Sequence, residues 1–590
     1  MLCRSPPAIK PKAAGRPQRR SIMAPHFSTQ PPSHRRIFSI QPLESRTLLS
    51  VSQFYIGAIS TPTPSAVQYA ATTKIAAGPN GDVVVTGLFG GAVNFNPRGS
   101  KPYILTADGY TDVFVAEYDA GGGLIWANRF GGTNGSFPAM EGQAVDIDTD
   151  PSRAGNWVNS LDTEPQDLGE YVNGLAVDSA GNVYITGGTR GVDTYGGPSS
   201  NPQDEPVLVN VDVKYYQIYL IKLDPRGNPV WADTMGGQFQ NVARSIALDS
   251  AGNPVIAGMY SRTANFNPQA KTVAEQVILS TPGRTGAFVA KYTSNGALVW
   301  ADATAVGDET DAERRVYANS IAIDGNNNVY VGGVFAGQCD FDPSGSGDVI
   351  TSMGKTDEFI QKFSPTGTPE WVQDIGGDNA YSGGMAIALS PGGTRIYAAA
   401  YIQDTAQIGS ATNAPTFTTV SSGGSPDYTD MLLTAMSTAN GNLAWARQIG
   451  NNSWKTIGQM TTDAEGNLYI TGGFYYSLTF GTGANKITLT SPATNDNYND
   501  NNDGSRSSAY SVYVVKMTSA AQVVYADQIG SSGDCFGVGL AMEPDDDLLV
   551  AGRFKGTVNF DPTGQTRRLL GGQGASSGFA IRLNPNGTLG

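Results

Sequence analysis

The sequence predicts an all-β fold, a single seven-bladed β-propeller of four-stranded antiparallel blades, on three observations. An aromatic, followed in most copies by Ala, recurs at Tyr55, Trp126, Trp231, Trp300, Trp371, Trp445 and Tyr525, spaced by 71, 105, 69, 71, 74 and 80 residues. A turn followed by a short β-rich run also occurs seven times. Gly and Pro, 73 and 34 of 590 residues, exceed ordinary usage and call for frequent turns.

The turn marker is clearest at Asp178-Ser179-Ala180-Gly181-Asn182, which precedes Val183-Tyr184-Ile185-Thr186-Gly187. It returns at 249–258, 324–333 and 463–472, with looser copies at 78–87, 390–399 and 543–552. Asp, Gly and Asn between two apolar runs predict a hairpin, because Gly and Asn accept positive φ and Asp bonds its own backbone. A third run follows in every copy: 113–118, 219–223, 288–292, 359–363, 431–436, 512–517 and 579–583. Each unit thus supplies four strands, in the second copy 175–178, 183–187, 219–223 and 230–233. One such unit leaves two faces wet and two edges open, and a ring of them buries the faces.

The chain divides into a basic leader, residues 1–50, and the propeller, residues 51–590. The ring-closing expectation comes from complementary ends: a fourth-strand segment around Tyr55 opens the body, and the last run ends on a third strand. Residues 51–60 are therefore expected to complete the seventh blade. An open solenoid is the alternative.

The pattern Ala-Val-Asp-Ser-Ala-Gly-Asn-Val-Tyr-Ile-Thr-Gly at 176–187 resembles the bacterial seven-bladed beta-propeller (SBBP-type) repeat family over nearly the whole body, most weakly in the fifth copy at Leu389-Ser390-Pro391-Gly392-Gly393. That resemblance implies a bacterial, often extracytoplasmic protein and no particular reaction. Pro42-Leu43-Glu44-Ser45-Arg46-Thr47-Leu48-Leu49-Ser50 resembles the Leu-Glu-Pro-Arg/X-Leu-Leu motif of bacterial surface and secreted proteins, with Ser45 where Pro is usual. It implies a cell-surface or secreted address. The leader is Pro-, Ser- and Arg-rich, lacks the apolar segment of a signal peptide, and is expected to be disordered.

Charge and histidine content narrow the function. The chain carries a formal net charge of −14; residues 1–50 contribute +8, so the body carries −22. An acidic body is a poor fit to nucleic acid. Both histidines, His26 and His34, lie in the leader, so Ser-His-Asp and Cys-His catalysis and imidazole-bound zinc are excluded from the body. Three cysteines are too few for a disulfide framework, and no apolar run is long enough for a membrane-spanning helix.

The long insertions at 133–170, 189–215, 303–315, 404–427 and 490–509 all fall in second-to-third or fourth-to-first connections, which share one face of a propeller. They hold −15 of the body's charge. Insertions on one face mark a binding face, and this one suits Ca²⁺ or a basic partner, although solvated loops carry the same charge without a ligand. Trp157, Tyr195 and Tyr498 are the ligand-stacking candidates. The recurring Asx-Phe-Asx-Pro motif (94–97, 265–268, 340–343, 559–562) offers Asp340, Asp342, Asn559 and Asp561 as Ca²⁺ ligands, or simply ends a strand in an Asx turn. Asn499, Asn501 and Asp503 resemble a calcium loop whose twelfth position is Tyr510 where an acid is needed. The expected function is a non-catalytic, extracytoplasmic or cell-surface binding module for a protein, glycan or cation, monomeric, with Ca²⁺ as the one cofactor considered. The alternatives are a carboxylate-based glycoside hydrolase or lyase, and a purely structural envelope protein.

Overall fold

The computed structural model describes residues 59–60, 69–132, 171–307, 316–377, 385–491 and 509–590, except for 109–110, 191, 197–206, 210–214, 238, 344, 346, 403–404, 410–413, 419–429, 451–454, 532, 562–567 and 571–575. It shows the all-β, seven-bladed propeller that the repeats predict. Blade 2 consists of Tyr171–Val177, Val183–Thr189, Gln217–Leu223 and Pro229–Met235, in antiparallel order from the axis outward. Blades 1, 3, 4, 5 and 6 repeat that order, starting from inner strands Tyr69–Ala77, Val242–Leu248, Val316–Ile323, Ala386–Leu389 and Gln459–Thr462. Blade 7 has three described strands, Cys535–Met542, Leu548–Phe554 and Ser577–Leu583. No helix among the described residues is long and apolar enough to cross a membrane.

The first turn of blades 2, 3, 4 and 6 is set by an Asp. Asp178 Oδ1 accepts the N–H groups of Ala180 and Asn182 at 3.0 and 2.9 Å, while Asn182 Nδ2 donates to Oδ2 at 2.7 Å. Asp249 and Asp324 repeat this network. Satisfying the donors locally lets the reversal stay short, which keeps this face of the ring low.

Apolar packing lies between blades. Among the described residues, seven clusters each join two neighbouring blades: Val255 and Val289 meet Val331 and Phe359 between blades 3 and 4, and Val85 and Phe114 meet Leu549 and Ala551 between blades 1 and 7. The last blade therefore packs on the first. Arg582 of blade 7 also donates to the carbonyls of Ala120 and Gly81 in blade 1, at 2.9 and 3.2 Å.

Two fasteners add to this packing. On the tight-turn face, the fourth-strand Trp of one blade lies against the third-to-fourth turn of the next. Trp231, Trp300, Trp371 and Trp445 donate through Nε1 to Ser294 O, Pro365 O, Thr438 O and Ser519 O, at 3.0–3.2 Å. The turn glycine sits on the indole: a Cβ at Gly367, where φ is +89°, would stand 2.7 Å from Trp300 Cδ2. Trp126 departs from the pattern, donating to Glu117 of its own blade while its ring still meets Gly227. Tyr525 meets Gly587 in the same way.

On the opposite face, the second-to-third connection of blades 2–5 and 7 forms a hairpin that pairs with the end of the preceding blade's fourth strand, whereas in blade 6 Ser477–Phe480 and Ile487–Thr490 form a separate two-stranded sheet among the described residues. Val306 and Gly307 pair with Asp340 and Cys339, Ile375 and Gly376 with Ile408 and Gln407, and Gly530 and Ser531 with Asn559 and Val558. Ile59 and Ser60 pair with Asn94 and Val93 in this same register. They occupy the pairing position that a preceding blade's fourth-strand end takes elsewhere. Residues 51–58, Tyr55 included, lie outside the described residues, and with them the expected pairing to Ser577–Leu583.

Gly367→Ala combines a left-handed backbone with an overlap on Trp300, and is expected to lower stability by about 2–4 kcal/mol in urea unfolding. Ala at Gly325, where a Cβ meets nothing within 4 Å, serves as the control and is expected to change stability by less than about 0.5 kcal/mol.

Candidate functional site

The loop-bearing face was the expected site, and its described parts are largely structural. Tyr195 lies in the hairpin strand Val192–Gly196, where it pairs with Phe130 of blade 1. Trp157, Tyr498, Asn499, Asn501 and Asp503 lie outside the described residues. The Asx-Phe-Asx-Pro motifs build the hairpins. Asn94 Oδ1 accepts the N–H groups of Asn96 and Tyr103, both at 2.9 Å, and Asn265 Oδ1 accepts those of Asn267 and Val277 at 3.0 and 3.2 Å. Asp340 and Asn559 accept the N–H groups of Asp342 and Asp561 at 3.0 and 3.2 Å. The intervening Phe enters the core as alternation requires: Phe341 is fully buried, edge-on to Phe335 and Phe359 at 5.2 and 5.0 Å. These oxygens act first as turn acceptors.

Carboxylates with raised pKa values are distributed around the ring. Burial pushes Asp302, Asp357 and Asp527 up to about 6, and these sit on blades 3, 4 and 6. The charge of Asp342, from the neighbouring hairpin, adds to the effect at Asp302, against the N–H of Ala303, which bonds Oδ1 at 2.8 Å. A separate acidic group, Glu543, Asp545 and Asp547, brings its oxygens within 4.8 Å of one another on the first turn of blade 7. Glu543 there is the ion-pair partner of Arg582, with Nη2 2.7 Å from Oε1.

The feature that sequence reasoning missed is on the axis. A cavity of about 320 Å³ is lined by the inner strands of blades 1, 2, 3, 4, 6 and 7. Its lining residues cluster at the beginnings of those strands, and inner strands start on the loop-bearing face, so the cavity lies at that end of the channel. A β-bulge recurs here: in blades 1–4 and 7 the register slips around Thr73, Asn173, Arg244, Asn319 and Val538. Each bulged residue stands five positions before the first-turn position of its blade, and each lines the cavity. A bulge re-aims one side chain without breaking the strand. Three of these side chains bond to the next blade: Thr73 Oγ1 to Val172 O at 3.2 Å, Asn173 Nδ2 to Ala243 O at 3.0 Å, and Arg244 Nη1 to Asn319 Oδ1 at 2.9 Å.

Cationic residues line this cavity and carboxylates do not: Lys74, Arg244 and Arg553 are among the lining residues, and no Asp or Glu is. Burial lowers the pKa values of Lys74 and Arg244. The Arg244 guanidinium lies 4.6 Å from the centre of the Tyr317 ring, and that of Arg553 lies 5.1 Å from the centre of Phe536. The sequence signal, a polar residue at a fixed offset before the turn, is weak because the group it forms draws single residues from distant repeats.

Comparison with known proteins agrees with the architecture. The family model described as "Beta-propeller repeat" (SBBP) matches residues 307–334, from the end of blade 3 into the second strand of blade 4. The chain is a seven-bladed propeller carrying that repeat. It is similar to an uncharacterized WD repeat-containing protein of Acanthamoeba polyphaga mimivirus, 23% identical over 474 residues; the match spans 70% of this chain and 32% of that protein. Among solved structures, the quinohemoprotein alcohol dehydrogenase of Comamonas testosteroni aligns at 10% identity and a TM-score of 0.34, covering 89% of this chain and 77% of that one. Regucalcin of Agrobacterium tumefaciens, a calcium-binding protein, aligns at 10% identity and 0.28, covering 70% and 89%. Scores this low carry no inference about chemistry. Fold and repeat together support a binding or interaction scaffold.

Asp302 gives a pH test of the site's electrostatics. Its folded-state pKa is raised, so it favours the fold when protonated, and that contribution is lost as pH rises from about 4 through about 6. Asp302→Asn keeps the acceptor for the Ala303 N–H. It is expected to stabilise the protein at pH 7.5 by about 1 kcal/mol, allowing for partial exposure, and the gain should vanish near pH 4 in paired thermal melts.

Proposed function

We propose that this chain is a non-catalytic binding propeller of the bacterial beta-propeller repeat family, which presents its loop-bearing face to a protein, glycan or cation outside the cytoplasm. The observation that carries this reading is the asymmetry of the ring. Every hairpin added to the four-stranded plan, from Ala92–Asn94 with Ile104–Thr106 to Thr557–Asn559 with Arg568–Leu570, stands on one face, while the other face ends in tight turns. The acidic insertions belong to the connections of the hairpin side, and loops on a rigid platform suit recognition.

The body's lack of histidine removes Ser-His-Asp and Cys-His hydrolysis and favours binding. The Leu-Glu-Ser-Arg-Thr-Leu-Leu segment supports an envelope or extracellular address. Ca²⁺ is the cation the acidic insertions would favour, and the cation arm of the assay addresses it directly.

The test is a glycan and protein-ligand screen of the full chain, with and without chelator, followed by hydrogen exchange on any hit. A bound and chemically unaltered ligand, with protection focused on 133–170 and 490–509, is the expected result. Product release from a panel glycan would overturn the non-catalytic reading, and protection confined to the tight-turn face would overturn the choice of face.

A further inference from the structure

We propose that the axial cavity is a binding site for a small organic carboxylate with an apolar body, held by Lys74 and Arg244. This goes beyond the loop-face reading and does not depend on it, because its residues come from the inner strands.

Charge imbalance is the first observation. The body is strongly acidic, yet the described walls of its axial cavity hold three cations and no carboxylate. The Lys74 ammonium has neither an ion pair nor a hydrogen bond among the described residues. Lys74 is half-buried, and a cation partly withdrawn from water without a counter-charge is destabilised, a penalty that an anion bound beside it offsets.

The second observation is unspent hydrogen-bonding capacity. Arg244 uses Nη1 on Asn319, while its Nε is buried with no partner. Nε and Nη2 form the guanidinium edge that takes a carboxylate in bidentate fashion, and the bond to Asn319 together with the Tyr317 ring fixes the plane of the fork. An ammonium and a guanidinium N–H without a partner are donors suited to the two oxygens of a carboxylate.

Shape sets the remainder of the ligand. Leu88, Val172, Val242, Phe536, Ile457 and Val538 supply apolar wall. A volume of about 320 Å³ is at the small end of the roughly 300–1,000 Å³ of small-molecule sites. Inorganic phosphate would leave that wall unused, whereas an aryl or short alkyl carboxylate would cover it.

The experiment is calorimetric titration of the full chain with phenylacetate and hexanoate, using phenylacetamide and inorganic phosphate as comparators, supported by thermal melting. At least one carboxylate is expected to bind and to raise Tm, with phenylacetamide and phosphate at least 10-fold weaker. Lys74→Met removes an unpaired cation and is expected to leave the free protein's Tm unchanged or higher while weakening the carboxylate at least 10-fold. Arg244→Gln should weaken it similarly. No heat and no Tm shift up to 50 mM of either carboxylate would overturn the site, as would equal binding of the amide. Binding of phosphate alone, or unchanged affinity in a folded Lys74→Met, would do the same.

Discussion

The structure depends on burial between neighbours: a four-stranded blade has two apolar faces, and only adjacent blades can cover both. The seven shared clusters are the outcome, and the one joining Val85 and Phe114 to Leu549 and Ala551 makes the set cyclic. Apolar contact is non-directional, so the angle between blades needs directional restraints at both ends of the sheet. Trp300 beneath Gly367 supplies one on the tight-turn face, and Val306 paired with Asp340 supplies the other on the loop-bearing face. With blade angles fixed this way, the inner strands come together around a narrow axis and bulged residues from several blades share one cavity.

The same constraint explains what the sequence disclosed. The Trp marker was legible because the ring, the Gly it meets and the intervening strand recur as residue types at nearly constant spacing. The first turn was legible because Asp178 and Asn182 spend their side chains locally, so the motif is contained in five residues. The second-to-third connections were only half legible. Their Asx-Phe-Asx-Pro core was visible, and Phe341 enters the interior as alternation says it must. Their partner was not, because pairings of two or three residues between different blades leave no periodic trace. These motifs could be read as ligand oxygens or as Asx turns; Asn94 and Asn265 are spent on backbone N–H groups, and most of the hairpins latch one blade to the last.

The axial cavity was illegible for a different reason. Lys74, Arg244 and Arg553 are separated by 170 and 309 positions, and each sits singly in an otherwise ordinary strand. Charge totals pointed the opposite way, toward an acidic surface. Only the ring brings the three to one lining, and only the bulge five residues before the first turn aims Arg244 inward. Surface and channel thus have opposite electrostatic character. The added hairpins and the cationic cavity lie at the same end of the ring, so a partner on that face and a ligand on the axis would be close neighbours.

The claim that blades are fastened into one closed, cooperative ring is tested most directly by native-state hydrogen exchange on Trp300→Ala. That substitution removes the contact between blades 3 and 4 alone. The account predicts that protection of the inner strands of blades 1 and 6 falls by the same free energy as that of blades 3 and 4. A loss confined to blades 3 and 4, with blades 1 and 6 exchanging as before, would contradict it.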